Sequence, residues 1–203
     1  MFGEEVIGKF ASANWKLREE ALMQVDLFLG DTGGRRPPGT SAAAMFEVSC
    51  DLLCEAMADS VPQVFHAAIP VLYTVIDDGS PVGAVLAPSR LDLVPALHRV
   101  LDTLVAKVGD ANDRVADAAV DAVMCVCRSG VGAQPVVQVL MDTMFPSKAS
   151  APPRTAWRPI VGRLRLLEHL LESVGVKESV GLTAGAVETA AQEAFSHASV
   201  KVR

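Results

Sequence analysis

One helix-opening pattern occurs five times in these 203 residues, and it restricts the chain to a repeat architecture before any single residue is considered. The copies are Asn14-Trp15-Lys16-Leu17-Arg18, Val61-Pro62-Gln63-Val64-Phe65, Asn112-Asp113-Arg114-Val115-Ala116, Trp157-Arg158-Pro159-Ile160-Val161 and Ser199-Val200-Lys201-Val202-Arg203. Their aliphatic fourth positions, Leu17, Val64, Val115, Ile160 and Val202, recur at intervals of 47, 51, 45 and 42 residues. Intervals of that length belong to two-helix solenoid units. Such units bury their apolar faces only by stacking on neighbours, which sets equivalent turns in a row along one edge.

Composition agrees with helices packed closely on one another. Half the residues are apolar but only 5% are aromatic, so the core has to be built from Ala, Val and Leu. Small and medium side chains suit close helix-on-helix packing. A chain of this length holds one core or one stacked array, and residues 1–203 are expected to form a single domain. A net charge of −6 argues against a general nucleic-acid binder, whose affinity depends on neutralising phosphates with Lys and Arg. The first residues lack the basic and apolar regions of a secretory leader. The longest mainly apolar run, Ala67–Ile76, falls well short of the roughly 20 residues that span a bilayer. A soluble, intracellular protein with no membrane partner is expected.

Apolar periodicity marks the helices individually. A short helix around Val6–Phe10 precedes one carrying Leu17, Ala21, Leu22, Val25 and Leu29, which Gly30 ends; Ser12 or Asn14 suits its N-cap. Further helices are expected over about 41–58, 62–76, 89–108, 113–128, 133–144, 158–174 and 182–196. Pro95 requires a kink or a late start in the fifth. Between them, 31–40, 77–88 and 145–156 are Gly-, Pro- or Ser-rich connectors. The pattern predicts an all-α solenoid of HEAT-like antiparallel helix pairs, about five repeats, with the sequence breaking off inside the last. The chain is therefore expected to be a monomeric module of a longer protein.

The turns inside the repeats carry the residues of interest. In order they show Asn14, Trp15, Lys16 and Arg18; Ser60, Val61 and Gln63; Asn112 and Arg114; Trp157 and Arg158; Lys201 and Arg203. Four of the five hold a basic residue and two hold a Trp, on a chain whose net charge is acidic. A basic strip tipped with Trp suits an acidic protein surface, with Trp as anchor and Arg or Lys as charged contacts.

Ser12-Ala-Asn-Trp15-Lys-Leu-Arg18-Glu-Glu-Ala21-Leu22, the Asn-bearing turn Asp110-Ala-Asn112-Asp-Arg114 and Trp157-Arg158-Pro159 together resemble TOG domains, the HEAT-repeat modules that bind tubulin, and within them the branch found in a ciliary-tip centrosomal protein. The resemblance covers nearly the whole chain. It implies a non-enzymatic module that engages αβ-tubulin along its intra-repeat turns, without a cofactor or metal. By motif position Trp15 would anchor on β-tubulin, with Lys16 beside it, Val61 would be the second-turn contact, and Asn112 and Arg114 the third-turn contacts. Trp157, Arg158, Lys201 and Arg203 would face the partner's acidic surface. The resemblance also implies a cytoskeletal location at the centriole or cilium tip. TOG domains carry six repeats, whereas this sequence stops within a fifth.

Each residue also has a plainer use. A first-turn Trp often packs on the preceding helix, but polar Asn14 and Lys16 beside it, with Leu17 and Ala21 given to the core, place Trp15 at the surface; Trp157 equally suits the end of the stack. Asn112 suits an N-cap, Arg114 a pair with Asp110 or Asp117, and Arg163 and Arg165 a solvated helix face. Cys50, Cys54, Cys125 and Cys127 have no zinc-site spacing and read as free thiols, the scattered histidines as ordinary ones, and the glycines as breakers and caps. The competing function is a general HEAT or armadillo-like scaffold that holds a peptide in its concave groove.

Overall fold

The structure of the protein is a computed structural model, and it describes residues 2–30, 39–77, 79–80, 82–83, 94–144, 157–197, 199 and 201–202. Among the described residues the regular elements are helices: α1 (Glu4–Phe10), α2 (Trp15–Gly30), α3 (Ala42–Ala58), α4 (Pro62–Ile76), α5 (Val94–Lys107), α6 (Asp113–Arg128), α7 (Gln134–Met144), α8 (Trp157–Val174) and α9 (Ala184–Phe195). A 3-10 turn at Glu178–Val180 and an isolated bridge between Lys177 and Leu182 lie between α8 and α9. The fold is all-α, as the apolar period required. Two compact units divide the chain: Met1–Thr103 with Ser129–Val131, and Leu104–Arg128 with Gly132–Arg203.

In the first unit α1 reverses into α2, and Lys9 Nζ donates to Glu20 Oε1 across the pair at 2.9 Å. α3 opens where the Ser41 hydroxyl accepts the Ala44 N–H at 3.1 Å, satisfying one of the unpaired donors of a first turn. α4 opens on Pro62, which has no N–H to leave unpaired, and runs on through an exposed Pro70. α2 and α4 lie side by side and run in the same direction, because Arg18 reaches Asp59 near their starts and Thr74 Oγ1 donates to Asp26 Oδ1 at 2.7 Å near their ends. The core is Leu22, Val25, Leu29, Phe46, Leu53, Met57, Phe65 and Leu72, all removed from water. Each such side chain stabilises by about 1.5–3 kcal/mol relative to exposure.

The second unit is built on α6, α7 and α8, whose buried faces carry Val115, Ala119, Val123, Val136, Leu140, Leu166 and Leu170. Two glycines let its backbone segments touch. A Cβ on Gly162, inside α8, would stand 2.2 Å from the Val108 carbonyl oxygen, and one on Gly109 would stand 2.4 Å from Pro159 Cα. The expectation that glycines act only as breakers and caps is corrected here: Gly162 is a contact residue within a helix. α9 is capped by the Thr183 hydroxyl, which accepts the Ala186 N–H at 3.1 Å, and it buries Ala190 while Phe195 is 70% exposed.

α5 is described from Val94, with Pro95 its second residue. The expected earlier start, 89–93, lies outside the described residues, as do 31–38, 84–93 and 145–156 of the connectors, with Arg35 and Arg36 among them.

Candidate functional site

The five recurring segments lead into α2, α4, α6 and α8 and a turn at 201–202. Four of them share one hydrogen-bond arrangement. The backbone N–H of Asn14, Val61, Asn112 and Ser199 donates to the side chain two residues earlier: Ser12 Oγ at 3.1 Å, Asp59 Oδ1 at 2.8 Å, Asp110 Oδ1 at 2.9 Å and His197 Nδ1 at 3.1 Å. In three of the four the side chain at that capping position then accepts the N–H two residues later. Asn14 Oδ1 takes Lys16 N at 3.1 Å, Asn112 Oδ1 takes Arg114 N at 3.1 Å, and Ser199 Oγ takes Lys201 N at 3.3 Å. Those three turns are thus two short side-chain-to-backbone loops in succession, which compete well against other backbone conformations. The residues whose N–H groups are held this way, Lys16, Arg114 and Lys201, show their side chains to solvent.

In the first unit the first two turns are bracketed by Arg18. Its Nε donates to Asp59 Oδ2 at 2.7 Å and its Nη2 to Asp59 Oδ1 at 3.1 Å, while Nη1 donates to the carbonyls of Ser12 and Ala13 at 2.8 and 3.2 Å. Both side chains of the pair are largely buried, at 17% and 14% exposure. A planar guanidinium makes this two-pronged contact with a carboxylate, which a Lys could not. Arg18, expected on the basic strip that faces a partner, therefore belongs to the scaffold instead. Trp15 is half-buried at the first position of α2, less exposed than expected, with Lys16 Nζ 5.8 Å from its ring centre. Val61 is half-buried beside the Asp59 bracket.

In the second unit the fourth and fifth turns converge on Trp157. Lys201 Nζ lies 4.2 Å and Arg158 Cζ 5.1 Å from its ring centre, distances at which a cation is attracted to the ring face. The third turn abuts the fourth through the Gly109–Pro159 contact. Asn112 is half-buried in its capping role, and Arg114 is exposed. The pairings offered for Arg114 are taken by others: Asp117 binds Arg165, and Asp110 lies 3.6 Å from Lys107 Nζ. Arg165 is thus exposed but paired. Arg163, expected on a solvated face, is half-buried; its Nη1 donates to the Thr143 carbonyl at 2.9 Å, and burial lowers its pKa. Arg203 lies outside the described residues.

Among the described residues no group of His, Cys, Asp and Glu is arranged to hold a metal ion, and no helix is long and apolar enough to cross a membrane. The cysteines are unbridged. Burial raises the thiol pKa values of Cys50, Cys54 and Cys127, the last to about 11. An open groove of about 380 Å³ runs between α7 and the 3-10 turn, floored by Val137 and Met141 and flanked by Asp142 and Glu178; none of the turn residues lines it. Sequence reasoning gave Ser12 and Asp110 other roles, an N-cap and an ion pair, and passed over Asp59 and His197 as acceptors in these turns. Extending the repeat alignment two residues upstream puts an acceptor-type residue, Ser12, Asp59, Asp110, Thr155 or His197, at one register position in every copy.

A family described as centrosomal protein CEP104, TOG domain, matches residues 1–203. A solved structure entitled "CEP104 TOG domain" superposes with a TM-score of 0.78 at 23% identity, over 100% of this chain and 75% of that one. The "Structure of the TOG domain of human Cep104" gives 0.77 at 22% identity, over 99% and 74%. Mitogen-activated protein kinase kinase kinase 1 from Homo sapiens and Mus musculus is 25% and 26% identical over 84% of this chain, which spans 13% and 14% of those proteins.

Proposed function

The chain belongs to the TOG-domain family of centrosomal protein CEP104, and from that premise we propose that it is a non-enzymatic module that binds the αβ-tubulin dimer through its intra-repeat turns. The observation that carries this reading is the repeated turn, whose doubly bonded backbone holds Lys16, Arg114 and Lys201 out to solvent in an otherwise acidic chain. Recognition would proceed without chemistry. Trp15 supplies an apolar anchor beside Lys16, Val61 adds a second-turn contact, and Asn112 shapes the turn that presents Arg114. Trp157 gathers Lys201 and Arg158 into one cationic cluster, in which the ring partly holds two mobile charges in place before a partner arrives. Arg203 follows that cluster in sequence.

Membership in this family and its printed description support a cytoskeletal, centrosomal setting for the protein that carries the module, and the resemblance read from the sequence extends this to the cilium tip. The kinase activity of the longer relatives belongs to proteins of which this chain spans a small share.

Two substitutions test the reading. Trp15→Ala is expected to abolish co-elution with tubulin dimer on size exclusion while lowering the melting temperature by only a few degrees. A variant that keeps its melting temperature and still co-elutes fully would remove Trp15 from the interface. Lys201→Glu with Arg158→Glu should weaken the complex and reduce its salt dependence, since fewer cations would then face an acidic surface.

A further inference from the structure

The fifth turn opens as the first three do, but on a different kind of acceptor. Where Ser12, Asp59 and Asp110 take the backbone N–H two residues on, the fifth turn uses His197, whose Nδ1 accepts the Ser199 N–H at 3.1 Å. The difference is one of acid–base chemistry. A hydroxyl keeps its lone pairs at any pH and a carboxylate is ionised down to about pH 4, whereas histidine changes charge between about pH 5 and 8. A ring that accepts at Nδ1 is neutral and carries its proton on Nε2. The imidazolium has an N–H at both nitrogens, so a protonated His197 would set one donor against another.

The consequences of that bond run outward to the cation cluster. His197 holds the near side of the turn, its own N–H donating to the Ala194 carbonyl at the end of α9 at 3.1 Å. Val202 holds the far side, only 7% exposed, with its N–H on the Ser199 carbonyl at 3.1 Å. Between these anchors Ser199 Oγ accepts the Lys201 N–H at 3.3 Å, and Lys201 carries its Nζ to 4.2 Å from the Trp157 ring centre. Around the turn the charges are Glu193, one turn back on α9, Arg158 at the start of α8 and Lys201 itself. Among the described residues the ion-paired histidine is His169, on Glu172 at 3.8 Å, and no carboxylate pairs with the His197 ring. A proton on His197 therefore breaks the first loop of the turn and adds a like charge to the turn that carries Lys201.

We propose that His197 is a proton-operated latch on the fifth turn: the neutral ring closes the turn and sets Lys201 on Trp157, and protonation opens the turn and releases Lys201 from the ring. Acid acts on this turn alone among the four, because Ser12, Asp59 and Asp110 remain acceptors across the same range. The latch is a property of the free chain. Only its effect on a partner rests on the tubulin reading: an acidic surface would meet a preassembled cluster above the histidine range and a loose one below it.

An NMR titration of the intact chain from about pH 8 to 5.5 tests it. The Lys201 ε-methylene protons, shielded by the Trp157 ring while the turn is closed, are expected to move downfield to the position of a free lysine in step with the His197 ring signals. The Ser199 amide should lose about tenfold or more of its protection from hydrogen exchange, and the amides of Asn14, Val61 and Asn112 should keep theirs. His197→Asp restores the acceptor of the second and third turns and should hold Lys201 on the ring throughout; His197→Ala should free it throughout. His169→Gln should leave the transition as it is. The proposal is overturned if Lys201 stays shielded while His197 titrates, if Lys201 is already free at pH 8, or if the transition survives His197→Asp or vanishes in His169→Gln. Should a His197 variant melt early, the titration of the unsubstituted chain decides. No tubulin enters the measurement, so failure of the latch and failure of the tubulin reading show in separate experiments.

Discussion

Arg18 shows how a residue in the turn region can serve the frame instead of the partner. Four donor contacts from one guanidinium tie the first turn to the second, and the pair with Asp59 is mostly shielded from water. Removing one member leaves the other charge buried without its partner, so Arg18→Ala or Asp59→Ala is expected to cost about 3 kcal/mol, and Arg18→Lys most of that, measured by urea denaturation. Exchanging both for apolar residues of similar size should cost much less, and a double-mutant cycle would show the difference as coupling. Cys127 offers a second residue-level check. Burial raises its thiol from an ordinary value of 9.0 to about 11, so the thiolate available at pH 8 falls about 100-fold. Iodoacetamide should accordingly modify it far more slowly in the folded chain than in urea. The sign for stability follows: the folded state holds its proton longer, so this thiol's contribution is full below pH 9 and is lost as pH rises toward about 11.

Helices were largely legible from periodicity, because each buries one stripe against its neighbours and that stripe is written in the sequence. α4 and α6 begin and end where the apolar period and their flanking Pro62 and Asp113 place them. What periodicity could not reveal was contact across distance in the chain. Gly162 looks like any weak helix residue until Val108 is set against it, and Gly8 looks the same but has nothing within 4 Å. Gly8→Ala is expected to be neutral or to stabilise by up to about 1 kcal/mol, the usual gain from replacing glycine in a helix. Gly162→Ala should do the opposite and destabilise by about 2 kcal/mol or more, since the new methyl meets backbone that cannot rotate away. Thermal melts of the two variants distinguish contact from propensity. The turn residues were legible by type, since basic and Trp side chains stand out from an acidic, aromatic-poor background. Their supports were not: the Trp157–Lys201 and Arg18–Asp59 contacts join residues 44 and 41 apart in sequence.

For the molecule as a whole, charge is distributed unevenly between turns and helix faces. The net charge of −6 keeps unspecific contact with other acidic surfaces low, while cations held at the turns act at short range. The proposed tubulin binding is therefore expected to weaken steeply as salt rises from about 50 to 200 mM, and titrations at the two ionic strengths would measure the loss. The paired loops of the first, third and fifth turns also have an evolutionary meaning. Because the capping side chains fasten backbone N–H groups and make no demand on the side chain that follows, positions 16, 114 and 201 can be rewritten without refitting the turn. A module built this way keeps its address separate from its casing, and natural drift or a protein engineer could redirect it to a new partner by editing a few letters.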